Sequence, residues 1–271
     1  MRGRGPAVAG RRCVRSRHVV ARRLREAGRM AFDITRPVVD LVPTLRAMPL
    51  GAGEATGPSH LLTPAQRRRV ASIATRMEVR PRSVIYRADS PAHSVFINGA
   101  GVVKTVHDLA SGKRRITSFW FARDLFGLAE HGRYVYTTMT VTPATLYRLP
   151  VDELRRVLLE DAHLQFQFLC KVTHELREAQ HQKLLLIRKD AIGRVAMFVD
   201  MLEKQDAVRG PAGTIDMPMS RSDIASFLGL TLEAVSRATS EQTRLRILAI
   251  HGRHRVQILD RLRFDALVAR V

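Results

Sequence analysis

The sequence predicts an α+β chain: a small antiparallel β-barrel or jelly roll, then a long helix, then a compact C-terminal unit of helices with a β wing. Three observations carry that prediction. Short apolar bursts separated by turn residues recur between residues 83 and 149, the spacing of a barrel or sandwich. A sustained helical pattern covers residues 162–187. Beyond it, two short amphipathic segments flank Gly229, the pattern of two helices joined by a tight turn.

Composition bounds the rest. The 271 residues carry 45 Lys and Arg against 25 Asp and Glu, a formal charge of +20, and 45% of them are hydrophobic. That apolar content supports a packed core and excludes whole-chain disorder. No apolar run reaches the ~18–20 residues that span a bilayer, so no membrane partner is expected and the chain reads as cytoplasmic. Two cysteines, Cys13 and Cys170, are too few for a disulfide framework or a cysteine-rich metal centre. The charge points to an anionic partner, nucleic acid being the usual one. It is unevenly placed: residues 1–30 hold ten Arg and one acid, Glu26, whereas residues 209–271 hold ten Arg and six acids.

Residues 1–60 read as a basic tail and linker. The first thirty offer little to bury and repel one another, so disorder is the default. An Arg-rich, acid-poor start fits a mitochondrial presequence, a basic arm on DNA phosphates, or an upstream extension with the true start at Met30. Residues 31–60 continue with Pro37, Pro43, Pro49, Gly51, Gly53, Gly57 and Pro58.

Residues 61–152 hold the barrel. Thr63 caps a short helix with Pro64 at its first position, running to about Thr75. Strands follow at 83–86, 94–97, 102–106, 116–120, 134–141 and 145–149, with Ser111-Gly112 as a hairpin tip. His93, His107 and His131 stand alone without an H-x-H pair, which argues for surface histidines over the metal centre of a cupin-fold enzyme. No metal site, cofactor or catalytic constellation is expected.

The string VFINGAGVVKTVHDLASGKRRITSFWFARDLFGL resembles the effector domain of the Crp/Fnr transcription-regulator superfamily. That family places a Gly-containing hairpin, a DGRR-type hairpin and an F-x-P-G-D-x-F-G segment in this order. Here they are Asn98–Gly101, Ala110–Arg115 and Phe121–Gly127, with Ala122-Arg123 in place of Pro-Gly. The resemblance implies a cyclic-nucleotide-binding-like jelly roll. A cyclic nucleotide in that family needs a Gly-Glu pair for the ribose and an Arg for the phosphate. The matching positions are Gly127-Leu128 and Thr138-Met139, so gating by cyclic AMP is not expected and the effector stays unknown. Two Cys cannot hold the four-thiolate iron–sulfur cluster of an oxygen sensor.

Residues 153–188 read as the dimerisation region. Within helix 162–187, Leu169, Val172, Leu176, Ala179, Lys183 and Leu186 alternate at spacings of three and four, an a/d seam suited to a parallel homodimer. Phe166, Phe168, Leu184 and Leu185 would supply a flank for the helix's own barrel. Cys170 beside the seam reads as a small half-buried side chain or, if Lys171 and His174 lower its pKa, as a redox-responsive thiol.

Residues 189–271 read as a winged helix–turn–helix. Ser220, followed by Asp223, opens a short helix whose buried face is Ile224, Ala225, Phe227 and Leu228, and Gly229 ends it. Thr231 caps a second helix. On it Glu233, Ser236 and Arg237 fall at i, i+3 and i+4, on one face. Arg can fork onto guanine and Glu can accept from cytosine N4, although spacing alone leaves open an ordinary solvated Glu–Arg pair. MPMSRSDIASFLGLTLEAVSR resembles the superfamily's signature almost residue for residue, and Glu-x-x-Ser-Arg matches its Fnr/FixK-like branch. The resemblance implies a palindrome with TTGA-type half-sites in double-stranded DNA and a contact with RNA polymerase. Ser220, Arg221, Thr231, Arg253 and Arg255 are the expected backbone contacts, the last two in a two-stranded wing. Thr239, Gln242 and Arg246 stand where the family has two apolar residues and a Gly, which predicts a less well packed end to the second helix. The remaining alternatives are a cyclic-nucleotide- or redox-gated regulator of the same family and a cupin-fold metalloenzyme.

Overall fold

The computed structural model describes residues 62–269, apart from 110–111, 113, 130, 188–189, 206–207 and 209. The tail, the linker and Cys13 therefore lie outside the described residues.

Helix α1 (Pro64–Ile73) opens as expected. The Thr63 hydroxyl accepts from Gln66 N, and the Gln66 side-chain Oε1 accepts from Thr63 N. This reciprocal cap satisfies two otherwise orphaned donors. The helix stops two residues short of Thr75, because Thr75 opens an unforeseen strand, β1 (Thr75–Val79). There follow β2 (Val84–Tyr86), β3 (Ser94–Ala100), β4 (Val103–Asp108), β5 (Arg114–Trp120), β6 (Leu125–Phe126), β7 (Thr137–Thr140) and β8 (Ala144–Pro150). They form two antiparallel four-stranded sheets, ordered β1-β8-β3-β6 and β2-β7-β4-β5. The β3–β4 hairpin turns at Gly101, where φ is +85° and an added Cβ would lie 2.2 Å from the Pro143 carbonyl oxygen.

The core has three layers. Between the sheets lie Met77, Val79, Phe96, Val103, Phe126 and Leu146. Outside the first sheet, Val95, Ile97 and Leu149 pack on α1, on α2 (Val151–Leu159) and on the start of α3 (Ala162–Ile187). Residues 95–97 are thus buried on both faces, which is why they read as a continuous apolar run.

Outside the second sheet, Val102, Val106, Ile116, Phe119 and Phe121 enter one core with the C-terminal unit. That unit consists of α4 (Ala191–Glu203), β9 (Thr214–Asp216), α5 (Arg221–Leu228), α6 (Leu232–Arg244), β10 (Leu248–His251), β11 (Arg255–Ile258) and α7 (Arg261–Ala269). Phe119 forms a three-ring cluster with Phe198 and Phe227, its ring centroid 6.1 and 5.1 Å from theirs and those two 5.7 Å apart. The wing has three strands, ordered β10-β11-β9, where the sequence suggested two. Three residues, Thr214–Asp216, were too short a segment to stand out as a strand.

Candidate nucleic-acid interface

Helices α5 and α6 form the expected pair. The Ser220 hydroxyl accepts from Asp223 N at 3.1 Å, and the Thr231 hydroxyl accepts from Ala234 N at 3.1 Å. Gly229 closes α5 in the left-handed region at φ +63°. A Cβ there would lie 2.7 Å from the Arg115 guanidinium, so the turn is tight against the barrel as well as within itself. Ile224, Ala225, Phe227, Leu228, Val235 and Ala238 are buried, and this burial fixes the exposed face of α6.

That face carries Glu233 and Arg237, both exposed, with Ser236 partly exposed between them. Hydrogen bonds hold the Glu233 carboxyl below the usual carboxylate range: first its own backbone N–H, then the Thr231 hydroxyl, with a smaller contribution from Arg237. Glu233 is therefore an anion folded back on the helix start. Ser220, Arg221, Thr231, Arg253 and Arg255 are all exposed. Arg255 Nε donates to Asp216 Oδ1 at 2.8 Å, a pairing that β9 supplies and that partly neutralises it. Arg253 follows Gly252, φ +66°, at the wing turn.

The far end of α6 is packed, contrary to expectation. Gln242 is wholly buried and its Nε2 donates to the Ile192 carbonyl at 3.0 Å. Thr239 Oγ1 donates to the Val235 carbonyl at 2.8 Å, so it spends its hydroxyl on the helix itself. Arg246 takes the family's Gly position with φ +55°.

Along α3, Leu169 and Leu176 are 60% and 58% exposed, and Ala179 is partly exposed. Val172 instead packs partly against the core beneath α1 and α2. The side chains of Leu184, Leu185 and Leu186 lie outside the described residues. Of the expected barrel flank, Phe168 packs inward and Phe166 is exposed, because the helix turns its 164/168 face to the barrel. Cys170 is a free, half-buried thiol. Lys171 is buried in an ion pair with Glu175, so its charge is committed there. Burial, and next the charge of Lys171, push the His174 pKa down, which favours the neutral ring.

Sequence reasoning missed the bond between the reading unit and the barrel. Lys104 in β4 pairs with Asp223 in α5. The Ser226 hydroxyl accepts from Ile116 N at 3.0 Å and donates to the Arg114 carbonyl at 3.3 Å. Asp223 was legible only as an acid in a first helical turn, and nothing local links it to residue 104. Among the described residues, no group of three His, Cys, Asp or Glu side chains gathers as metal ligands, and no helix is long and apolar enough to cross a membrane.

Comparison with known proteins gives a consistent picture. Residues 193–267 match the Crp-like helix-turn-helix domain family, and residues 76–161 match the cyclic nucleotide-binding domain family. The chain is 31% identical to the transcriptional activatory protein AadR of Rhodopseudomonas palustris over 77% of its own length and 87% of that protein. It is 29% identical to the nitrogen fixation regulation protein FixK of Bradyrhizobium diazoefficiens over 77% and 88%. Among solved structures, FixK2 from Bradyrhizobium japonicum is similar at a TM-score of 0.67 and 32% identity, covering 73% of this chain and 99% of that one.

Proposed function

Since the chain belongs to the Crp/Fnr superfamily of transcription regulators, in its FixK-like branch, we propose that it regulates transcription in the cytoplasm as a homodimer on a TTGA-type palindrome. Two copies joined along Leu169, Leu176, Ala179 and Leu186, with Val172 at the seam's edge and partly in its own core, place two copies of α6 in successive major-groove turns. Glu233 and Arg237 read the C·G pair of each half-site, and Ser236 adds a smaller contact. Ser220, Arg221, Thr231, Arg253 and Arg255 hold phosphates and set the register. The bound dimer presents a face to RNA polymerase. It carries out no catalytic step, uses no cofactor, and is not gated by cyclic AMP.

The observation that carries this reading is the exposed Glu233–Ser236–Arg237 face on a helix whose other side is locked in the core. Against nucleotide gating stands Thr138, fully buried where the family keeps its phosphate-binding Arg, with its hydroxyl 3.0 Å from that of Thr105. Selection of bound sequences from random duplex DNA, repeated with Arg237→Ala, tests the proposal. A TTGA-type palindrome should be enriched by the native chain and lost or relaxed by the variant. Failure to enrich any palindrome at modest salt would sink it.

A further inference from the structure

One stripe of helix α5, made of Asp223, Ser226 and Phe227 at i, i+3 and i+4, meets the barrel. Lys104 of β4 pairs with Asp223. The Ser226 hydroxyl bridges Ile116 N and the Arg114 carbonyl of β5, and the Phe227 ring lies 5.1 Å from that of Phe119. At the other end of α5, the Arg115 guanidinium of β5 lies against the Gly229 turn. The β4–β5 hairpin thus holds α5 at its first turn, along its side and at its end.

The hairpin leaves the other side of the pair open. Ser220, Arg221 and Ser222 ahead of the contact are exposed, as are Thr231, Glu233 and Arg237 beyond it. The barrel therefore grips the unit without covering the groups expected at DNA. Two half-sites are read together only when both copies of α6 stand about 34–36 Å apart, so their orientation matters. The chain enters the C-terminal unit once, after α3, and one covalent joint leaves such a unit free to turn. Attachment to β4 and β5 removes that freedom.

Charge works in the same direction. Asp223 lies in the first turn of α5, three residues after Ser220. An unpaired acid there would repel the phosphates that a helix N-terminus attracts. Lys104 Nζ, 2.6 Å from Asp223 Oδ1, offsets that charge in a place where both side chains are largely covered and salt screens little.

We propose that Lys104, a barrel residue outside the reading face, is a positioning residue for DNA binding: through Asp223 it holds α5 and α6 in the orientation they keep on the bound duplex. The inference rests on the regulator reading above and adds to it that the docked arrangement is the DNA-bound one.

The test measures affinity of the full chain for a duplex carrying the TTGA-type palindrome, at a temperature where every variant is folded by circular dichroism. Lys104→Met should weaken binding about tenfold, and Lys104→Arg should recover most of the loss. Asp223→Asn removes an acid near the phosphates and should still weaken binding, because it also removes the tie. Lys104→Cys/Asp223→Cys, made with Cys13→Ser and Cys170→Ser, gives a pair that bismaleimidoethane can join. Unjoined, this chain should bind weakly; joined, it should regain nearly native affinity, a recovery that a purely stabilising pair would not show in folded protein. Should the paired-cysteine chain fail to fold, Ser226→Ala should weaken binding several-fold and speed amide exchange at Ile116. Loss of binding on joining, or tighter binding by Asp223→Asn, would overturn the proposal. Native binding with unaffected variants would sink this inference alone, whereas a native chain that binds no palindrome would sink the regulator reading with it.

Discussion

Lys104 Nζ lies 2.6 Å from Asp223 Oδ1, an ion pair that joins β4 of the barrel to the first helix of the DNA-reading pair. Their side chains are 16% and 19% exposed, so removing one partner strands a half-desolvated charge. Discounted for that exposure, Lys104→Ala should cost about 1–3 kcal/mol in urea unfolding. The double variant Lys104→Ala/Asp223→Ala should cost less than the two single losses added. Strict additivity would show that the pair contributes nothing.

Asp124 gives a pH dependence. Burial, and next the charge of Glu175, push its carboxyl up to about 7. Lys171, His174, Glu175 and Glu178 from α3 and Lys204 from the end of α4 share its cavity. A carboxyl whose folded pKa exceeds its unfolded value binds its proton more tightly when folded. Its contribution therefore favours folding at low pH and is lost as pH rises through about 7. At ~1.4 kcal/mol per pH unit the loss between pH 4 and 7 is at most about 4 kcal/mol. Asp124→Asn keeps an acceptor for the Phe121 N–H and should stabilise the chain at pH 8 more than at pH 5. An equal effect at both would refute the assignment.

Gln242 is wholly buried, and its Oε1 finds no partner among the described residues. The stranded oxygen carries a desolvation penalty. Gln242→Met, of similar volume, should leave stability unchanged or raise it by about 1 kcal/mol. A loss larger than ~1 kcal/mol in a thermal melt would mean that the Ile192 hydrogen bond outweighs the orphaned oxygen.

Arg246 holds φ at +55°, a region that costs a residue with a Cβ roughly 1–2 kcal/mol. After Gly's extra chain entropy is subtracted, Arg246→Gly should gain about 0.5–1 kcal/mol. For a domain of this size that is ~1–4 °C in Tm. An unchanged or lowered Tm would show that its side chain compensates for the strain.

Local chemistry was legible in the sequence and long-range docking was not. The caps at Thr63, Ser220 and Thr231 and the turn at Gly229 each depend on residues within three or four positions, and each stands as read. The long helix kept its bounds because it is a single periodic run. By contrast β6, two residues long, forms only because β3 lies beside it. β9 likewise forms only against β11. The exposed face of α6 was legible because the residues that bury its other side are local to the two helices. The Lys104–Asp223 pair was not, since it joins residues more than fifty positions apart.

The cluster of Phe119 with Phe198 and Phe227 has a consequence for the exchange of parts between relatives. Each such ring buries on the order of 150–250 Å², and here one of the three belongs to the barrel. Residues 189–271 are therefore not a self-contained cassette. Transplanted onto another barrel, they would arrive with Phe198 and Phe227 still packed on each other but without the ring of Phe119, and with Asp223 without Lys104. A graft that carries β4 and β5 along takes the complementary surface with it.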